Sequence, residues 1–207
     1  MSGYKDYGYN SDEFDHISQY LLKPVVEIMS KKKYRKILDI GCGNGWLTNY
    51  LIGKGFDAYG TDASPSGIEI ANRANPGRFF VQDLTSDDLP NELNDLHFDT
   101  IISTEVIEHL YSPREYFDFC KRILQKSGSG QLIVSTPYHG YLKNVVLSLM
   151  GKMDDHFTVL WDGGHIKFWS AKTLSKILEE RGFKEITFKG CGRYPFLWKS
   201  MIITAQI

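Results

Sequence analysis

The chain is poor in features that mark several common protein classes. Cysteine is scarce: Cys42, Cys120 and Cys191 are the only three in 207 residues. An odd, scattered set gives no disulfide framework and suits reduced thiols that serve as small buried hydrophobes. No run of about 18 apolar residues occurs, and the opening Met1-Ser-Gly-Tyr-Lys lacks the apolar core of a signal peptide, so a cytoplasmic, soluble protein without a transmembrane segment is expected. Excess charge of one sign is missing as well. Against 25 Asp and Glu stand 24 Lys and Arg, so no broad basic field advertises a nucleic-acid partner. The local block Lys31 to Lys33, with Arg35 and Lys36, is explained by a solvated helix end. A chain of this length suits a single domain that buries roughly 70% of its extended surface without a metal or disulfide staple.

Glycine is placed with purpose. Residues Lys36 to Ile40 form an apolar run that ends in Gly41-Cys-Gly-Asn-Gly45. Glycines there tolerate positive φ and let backbone N–H groups approach a ligand, which a Cβ would prevent. The spacing Gly-x-Gly-x-Gly matches the dinucleotide fingerprint only in part. A helix over 45–54 and a strand over 57–62 follow, the latter ending in Asp62, placed to accept hydrogen bonds from both hydroxyls of a ribose. A third strand over 79–83 ends in Asp83, on the same edge of a parallel sheet. Further strands at 98–104 and 130–136, with helices at 65–74 and 113–125, complete a doubly wound α/β rhythm. Ser64 and Ser112 stand ahead of Pro65 and Pro113 as N-cap candidates. After a helix at 171–181, segments 184–189 and 198–207 lie too close in sequence for a crossover helix and should pair antiparallel.

Asp39-Ile-Gly-Cys-Gly-Asn-Gly45, Gly60-Thr-Asp62, Gln82-Asp83-Leu84 and Phe98 to Thr104 resemble, in order and spacing, the motifs of class I S-adenosylmethionine-dependent methyltransferases. The resemblance is specific over 36–136 and looser elsewhere, and within the class it points to the ubiquinone-pathway O-methyltransferase-like group. It implies a Rossmann-like doubly wound sheet of the seven-stranded methyltransferase type, mostly parallel with an antiparallel C-terminal strand. It also implies S-adenosyl-L-methionine as cofactor and S-adenosyl-L-homocysteine as product. Gly41, Gly43 and Gly45 would pass under the methionine part, Asp62 would hold the ribose and Asp83 the adenine amino group. Asp39, Cys42, Ala63, Leu84 and Thr104 complete the cofactor-binding set.

Thr104-Glu-Val-Ile-Glu-His-Leu110 follows the fourth strand, where a methyl acceptor would approach. In a helical turn Glu105, Glu108 and His109 fall on one face, and three readings stay open. His109, with His139 or His165 as alternatives, is a general base for an acceptor hydroxyl in an in-line displacement, with Glu105 beside it. Alternatively Glu105, Glu108, His109 and His165 hold a divalent metal, since the segment is similar to the Glu-x-x-Glu-His motif of small-RNA terminal 2′-O-methyltransferases. The third is a purely structural turn with a packed His109. A small-molecule acceptor methylated on oxygen is the expectation, with N-methylation, metal-assisted RNA 2′-O-methylation and a non-catalytic cofactor-binding subunit as alternatives.

Residues 1–33 are expected to form an N-terminal helical cap, with a helix over 14–29 and Tyr4, Tyr7 and Tyr9 either capping the ligand or anchoring a frayed arm. Residues 138–169 resemble an acceptor-side lid insertion. Of its aromatics, Tyr138, Tyr141, Phe157, Trp161, Phe168 and Trp169, about half are expected to wall the acceptor and the rest to form the lid's own core. Val145 to Met150 is expected to pack on the sheet rather than touch a membrane.

Overall fold

The computed structural model describes residues 8–11, 18–30, 36–84, 88–157 and 159–207. Its strands are β1 (Lys36–Ile40), β2 (Asp57–Asp62), β3 (Phe79–Val81), β4 (Thr100–Thr104), β5 (Gln131–Pro137), β6 (Lys184–Cys191) and β7 (Ser200–Gln206). The helices are α1 (Ser18–Ser30), α2 (Trp46–Gly53), α3 (Pro65–Ala74), α4 (Pro113–Gln125), α5 (Tyr141–Leu149), α6 (Met153–Phe157) and α7 (Ala171–Glu180). The seven strands form one sheet in the order β3-β2-β1-β4-β5-β7-β6. All pairings are parallel except those of β7, which runs antiparallel to both β5 and β6. The expected hairpin is present, and its second strand slides between β5 and the first.

Two cores sandwich the sheet because successive strand residues point to opposite faces. Leu38, Ile101, Leu132, Val134, Met201 and Ile203 face one way, against Phe117, Cys120, Ile123 and Leu124 of α4 and Leu174, Ile177 and Leu178 of α7. Their neighbours Ile37, Ile102, Ile133 and Ile202 face the other, against Leu21, Val25 and Met29 of α1 and Leu47 and Leu51 of α2. Both faces are thus covered, as parallel strands require. Removing a fully buried ring such as that of Phe98 or Phe117 costs about 3–5 kcal/mol.

Local signals set the element ends. Ser64 accepts a hydrogen bond from Gly67 N–H at 3.1 Å and Pro65 opens α3, whereas Ser112, expected to cap α4, makes no side-chain cap bond. β3 stops at Val81, so Asp83 lies in the loop beyond rather than at the strand end. The stretch 145–150 does not bury itself on the sheet: Leu149 and Met150 are exposed, and Lys143 is the buried residue of α5. Among the described residues no helix is long and apolar enough to cross a membrane. Tyr4, Tyr7, Lys31 to Lys33 and Arg35 lie outside the described residues.

Candidate active site at the sheet edge

Between β1 and β4 the strand order reverses direction, and the crevice at the carboxyl ends of these strands is where open α/β sheets bind ligands. Gly41, Gly43 and Gly45 line it with φ of 78°, 56° and 75°, the left-handed region expected of them. Space reinforces conformation at Gly45, where a Cβ would run into Ala71 and Phe79. The loop is pinned from β2: Gly41 and Cys42 N–H both donate to Thr61 carbonyl, at 2.7 and 3.0 Å.

Asp62 has a structural task that its place in the sequence did not reveal. Its Oδ2 accepts from Gly43 N–H and its Oδ1 from Ser64 N–H, both at 2.8 Å. The carboxylate therefore bridges the glycine loop and the start of α3, with Ala63 between. Asp39 lies deeper, 1% exposed. Its Oδ2 accepts from Thr48 Oγ1 at 2.6 Å, while Oδ1 is buried without a hydrogen-bond partner. Burial pushes its pKa up to about 7, Asp62's charge adding to the shift and the Thr48 bond opposing it. Thr48 was missed in the sequence; it stands in the first turn of α2, a position that aims a hydroxyl back at the preceding strand.

Cys42 turns its side chain away from the crevice into a small cluster with Ile68, Ala71 and Phe79. Burial raises its thiol pKa well above the ordinary value. All three cysteines are buried and unpaired with one another. Leu84 and Asp83 are half-buried beside this edge, and Gln82 N–H donates to Asp62 carbonyl at 2.8 Å. Across the loop lies the segment 8–11. Tyr9 N–H donates to Ser66 Oγ at 3.1 Å, its ring covers Gly43 and Gly67, and Asn44 Nδ2 donates to Ser11 carbonyl at 3.0 Å.

Beyond Thr104, the last residue of β4, the expected helical face breaks. Glu105 takes a left-handed φ of 56°, and the turn that follows, Ile107–His109, is a 3-10 turn. Glu105 Oε1 accepts from Ser135 Oγ at 2.8 Å and Ser200 Oγ at 2.6 Å, which draws it toward β5 and β7. It therefore does not join Glu108, His109 and His165, whose ligand atoms lie within 4.8 Å of one another. The reason is tertiary: two serines 30 and 95 residues away outcompete helical continuation.

Glu108 is buried, its Oε2 accepting from Thr136 Oγ1 at 3.0 Å, and Oε1 and His165 Nδ1 both lack hydrogen-bond partners. Burial first, then the charge of Glu105, raises the Glu108 carboxyl well above the usual range. Burial lowers the pKa of His109, against backbone bonds to Gly164 and Gly163. Burial and the charge of His109 bring His165 down to about 4. The two rings meet edge to face at 5.0 Å, and Trp161 packs against both.

Segment 138–169 is fastened over this corner. Ile166 and Lys167 N–H both donate to Glu108 carbonyl at 2.9 Å, and Trp169 Nε1 donates to Ile107 carbonyl at 3.3 Å. Trp169 and Tyr138 pack on the main core, Phe157 and Phe168 pack with His139, and Tyr141 is exposed. His139, raised as an alternative base, instead contacts His156, Nδ1 to Nε2 at 3.2 Å.

Comparison with known proteins agrees with this geometry. Residues 14–187 match the family model described as a methyltransferase domain. Ubiquinone biosynthesis O-methyltransferases from Cereibacter sphaeroides and Roseobacter denitrificans are 27% and 29% identical over 170 residues, 79% of this chain in each case. The chain spans just under two thirds of those relatives, 66% and 65%. Among solved structures, the methyltransferase domain of a bacterial Hen1 superposes with a TM-score of 0.66 at 21% identity, covering 93% of this chain and 99% of that one. Magnesium protoporphyrin IX methyltransferase from Synechocystis, with bound SAH, gives 0.64 at 20%, covering 97% and 90%. These likenesses show the seven-stranded fold of S-adenosylmethionine-dependent methyltransferases, and the chain belongs to the methyltransferase-domain family.

Proposed function

We propose that this protein transfers a methyl group from S-adenosylmethionine to an oxygen of a small molecule. The observation that carries the cofactor reading is the unpartnered, buried Oδ1 of Asp39 behind a loop of three left-handed glycines bridged by Asp62. An acceptor atom without a donor suits an ammonium group, glycines at this edge let a ligand come close to the backbone, and Asp62 at the end of β2 stands where a carboxylate accepts from ribose hydroxyls. S-adenosylmethionine, when bound, supplies a methyl group already activated on a sulfonium. What remains for the chain is to orient the acceptor, exclude water and take a proton.

The proton falls to His109 or His165. Their lowered pKa values keep both neutral near pH 7, which is the form that accepts. Segment 138–169 serves as the lid over that acceptor side, and residues 8–11, through Tyr9, lie over the cofactor loop. Kinship with ubiquinone biosynthesis O-methyltransferases supports oxygen as the methylated atom. The test is a methyl-transfer assay with phenolic, sugar and carboxylate acceptors. Cofactor binding without turnover on any acceptor would favour a non-catalytic subunit.

A second reading is favoured by the unpartnered atoms of Glu108 and His165. One carboxylate and two imidazoles fit a divalent cation such as Mn²⁺ or Zn²⁺, and Glu108, His109 and His165 would hold it. Such an ion would acidify the acceptor hydroxyl. Loss of turnover in EDTA, restored by the ion, separates this reading from general-base action.

A further inference from the structure

The acceptor corner contains a buried cation that the proposed methyl transfer does not use. Lys143, in the first turn of α5, is 7% exposed. Its Nζ donates to Tyr138 carbonyl at 2.8 Å and to Lys199 carbonyl at 3.3 Å, tying the end of β5 to the β6–β7 loop. An ammonium has three donors, so one is left over. Arg193, exposed in the β6–β7 loop, takes a left-handed φ of 58°. Its charge is felt at both Lys143 and His156, and it makes no ion pair among the described residues. Among the described residues the carboxylate within electrostatic reach of Lys143 is Glu105, whose Oε1 already serves Ser135 and Ser200.

Among the described residues, the charges that act on Lys143 are those of Arg193 and Glu105, so the ammonium and guanidinium together face one carboxylate and are left with about one positive charge in excess. Taking an ammonium out of water is costly unless something returns the lost interaction. Two carbonyls return part of it; a ligand anion would return more. Lys143 also stands beyond the carboxyl end of β5, on the same edge as Glu105 and the 107–109 turn, so an anion there would belong to the acceptor rather than to the cofactor loop at β1.

We propose that the acceptor carries a carboxylate, bound by the Lys143 ammonium and the Arg193 guanidinium. A single negative charge matches the single excess positive one, and the guanidinium fork pairs with a planar carboxylate through two parallel bonds. This rests on the methyl-transfer reading, since it assigns part of that reading's substrate.

The experiment compares salicylate with salicylamide, which differ in charge at nearly equal size, titrated into the protein loaded with S-adenosylhomocysteine. EDTA is present throughout, so that a metal ion at His109 and His165 cannot capture the carboxylate. Salicylate should bind about tenfold tighter, and Lys143→Gln and Arg193→Gln should each bring the preference to within about threefold. Arg193 is exposed, so its variant folds even where Lys143→Gln does not. Equal affinities in the unmodified protein, a preference that survives in Arg193→Gln, or no binding of either compound at millimolar concentration would overturn the proposal. Absence of S-adenosylhomocysteine binding in the loading step would refute the methyl-transfer reading instead, and the salicylate ratio is then read without it.

Discussion

Replacing Asp62 with asparagine, normally a conservative change, should be nearly as damaging as replacing it with alanine. Each carboxylate oxygen accepts one backbone N–H, from Gly43 and from Ser64. An asparagine offers one oxygen and one NH₂ group, so whichever way the amide turns, a donor faces a donor. Hydrogen bonds to charged groups are worth about 1.5–3 kcal/mol. Losing one of the two, and the charge from the other, should lower unfolding stability by about that amount and leave the glycine loop less ordered. The same change weakens any ribose contact, so affinity for S-adenosylhomocysteine should fall about 10- to 150-fold, the equivalent of that energy. Alanine should exceed asparagine only modestly, because both lose the bridge. Calorimetric titration and thermal unfolding of the three proteins are the assays. An asparagine variant with unchanged melting temperature and affinity would refute the bridging role.

Other perturbations separate the remaining claims. Gly45→Ala should cost about 2–4 kcal/mol in denaturant unfolding, since it combines a left-handed φ with overpacking against Ala71 and Phe79; a loss below about 1 kcal/mol would contradict it. His109→Ala should slow methyl transfer at least tenfold while leaving cofactor affinity within about twofold, and unchanged turnover in both it and His165→Ala would remove base and metal readings together. His139 and His156 are lowered to about 3 and about 4, chiefly by burial and next, at His139, by the charge of His156 and, at His156, by that of Lys143. Unfolded histidines take up protons near pH 6.5, so acid between 6.5 and 4 favours the unfolded state. His156→Gln should therefore lose less melting temperature than the unmodified protein between pH 7 and 4.5, and an equal loss would count against this account.

What could be read from the sequence was local. Positive φ at Gly41, Gly43 and Gly45, the Ser64–Pro65 start of α3 and Asp62 at a strand end each depend on residues a few positions apart. Glu105 defeated the same reasoning because Ser135 and Ser200 reach it from other strands. Nothing in the sequence around Lys143 singles it out, and only the approach of Tyr138 and Lys199 carbonyls makes it a buried cation. The insertion of β7 between β5 and β6 was likewise invisible, since antiparallel pairing says which strands meet but not which one lies inside.

The most direct test of the central claim is calorimetric titration of the purified protein with S-adenosylmethionine and S-adenosylhomocysteine, with NAD as control. The account predicts dissociation constants in the micromolar range, about 8 kcal/mol of binding free energy, for the two sulfur compounds and no heat with NAD. Absence of binding by either sulfur compound, or equal binding of NAD, would contradict it.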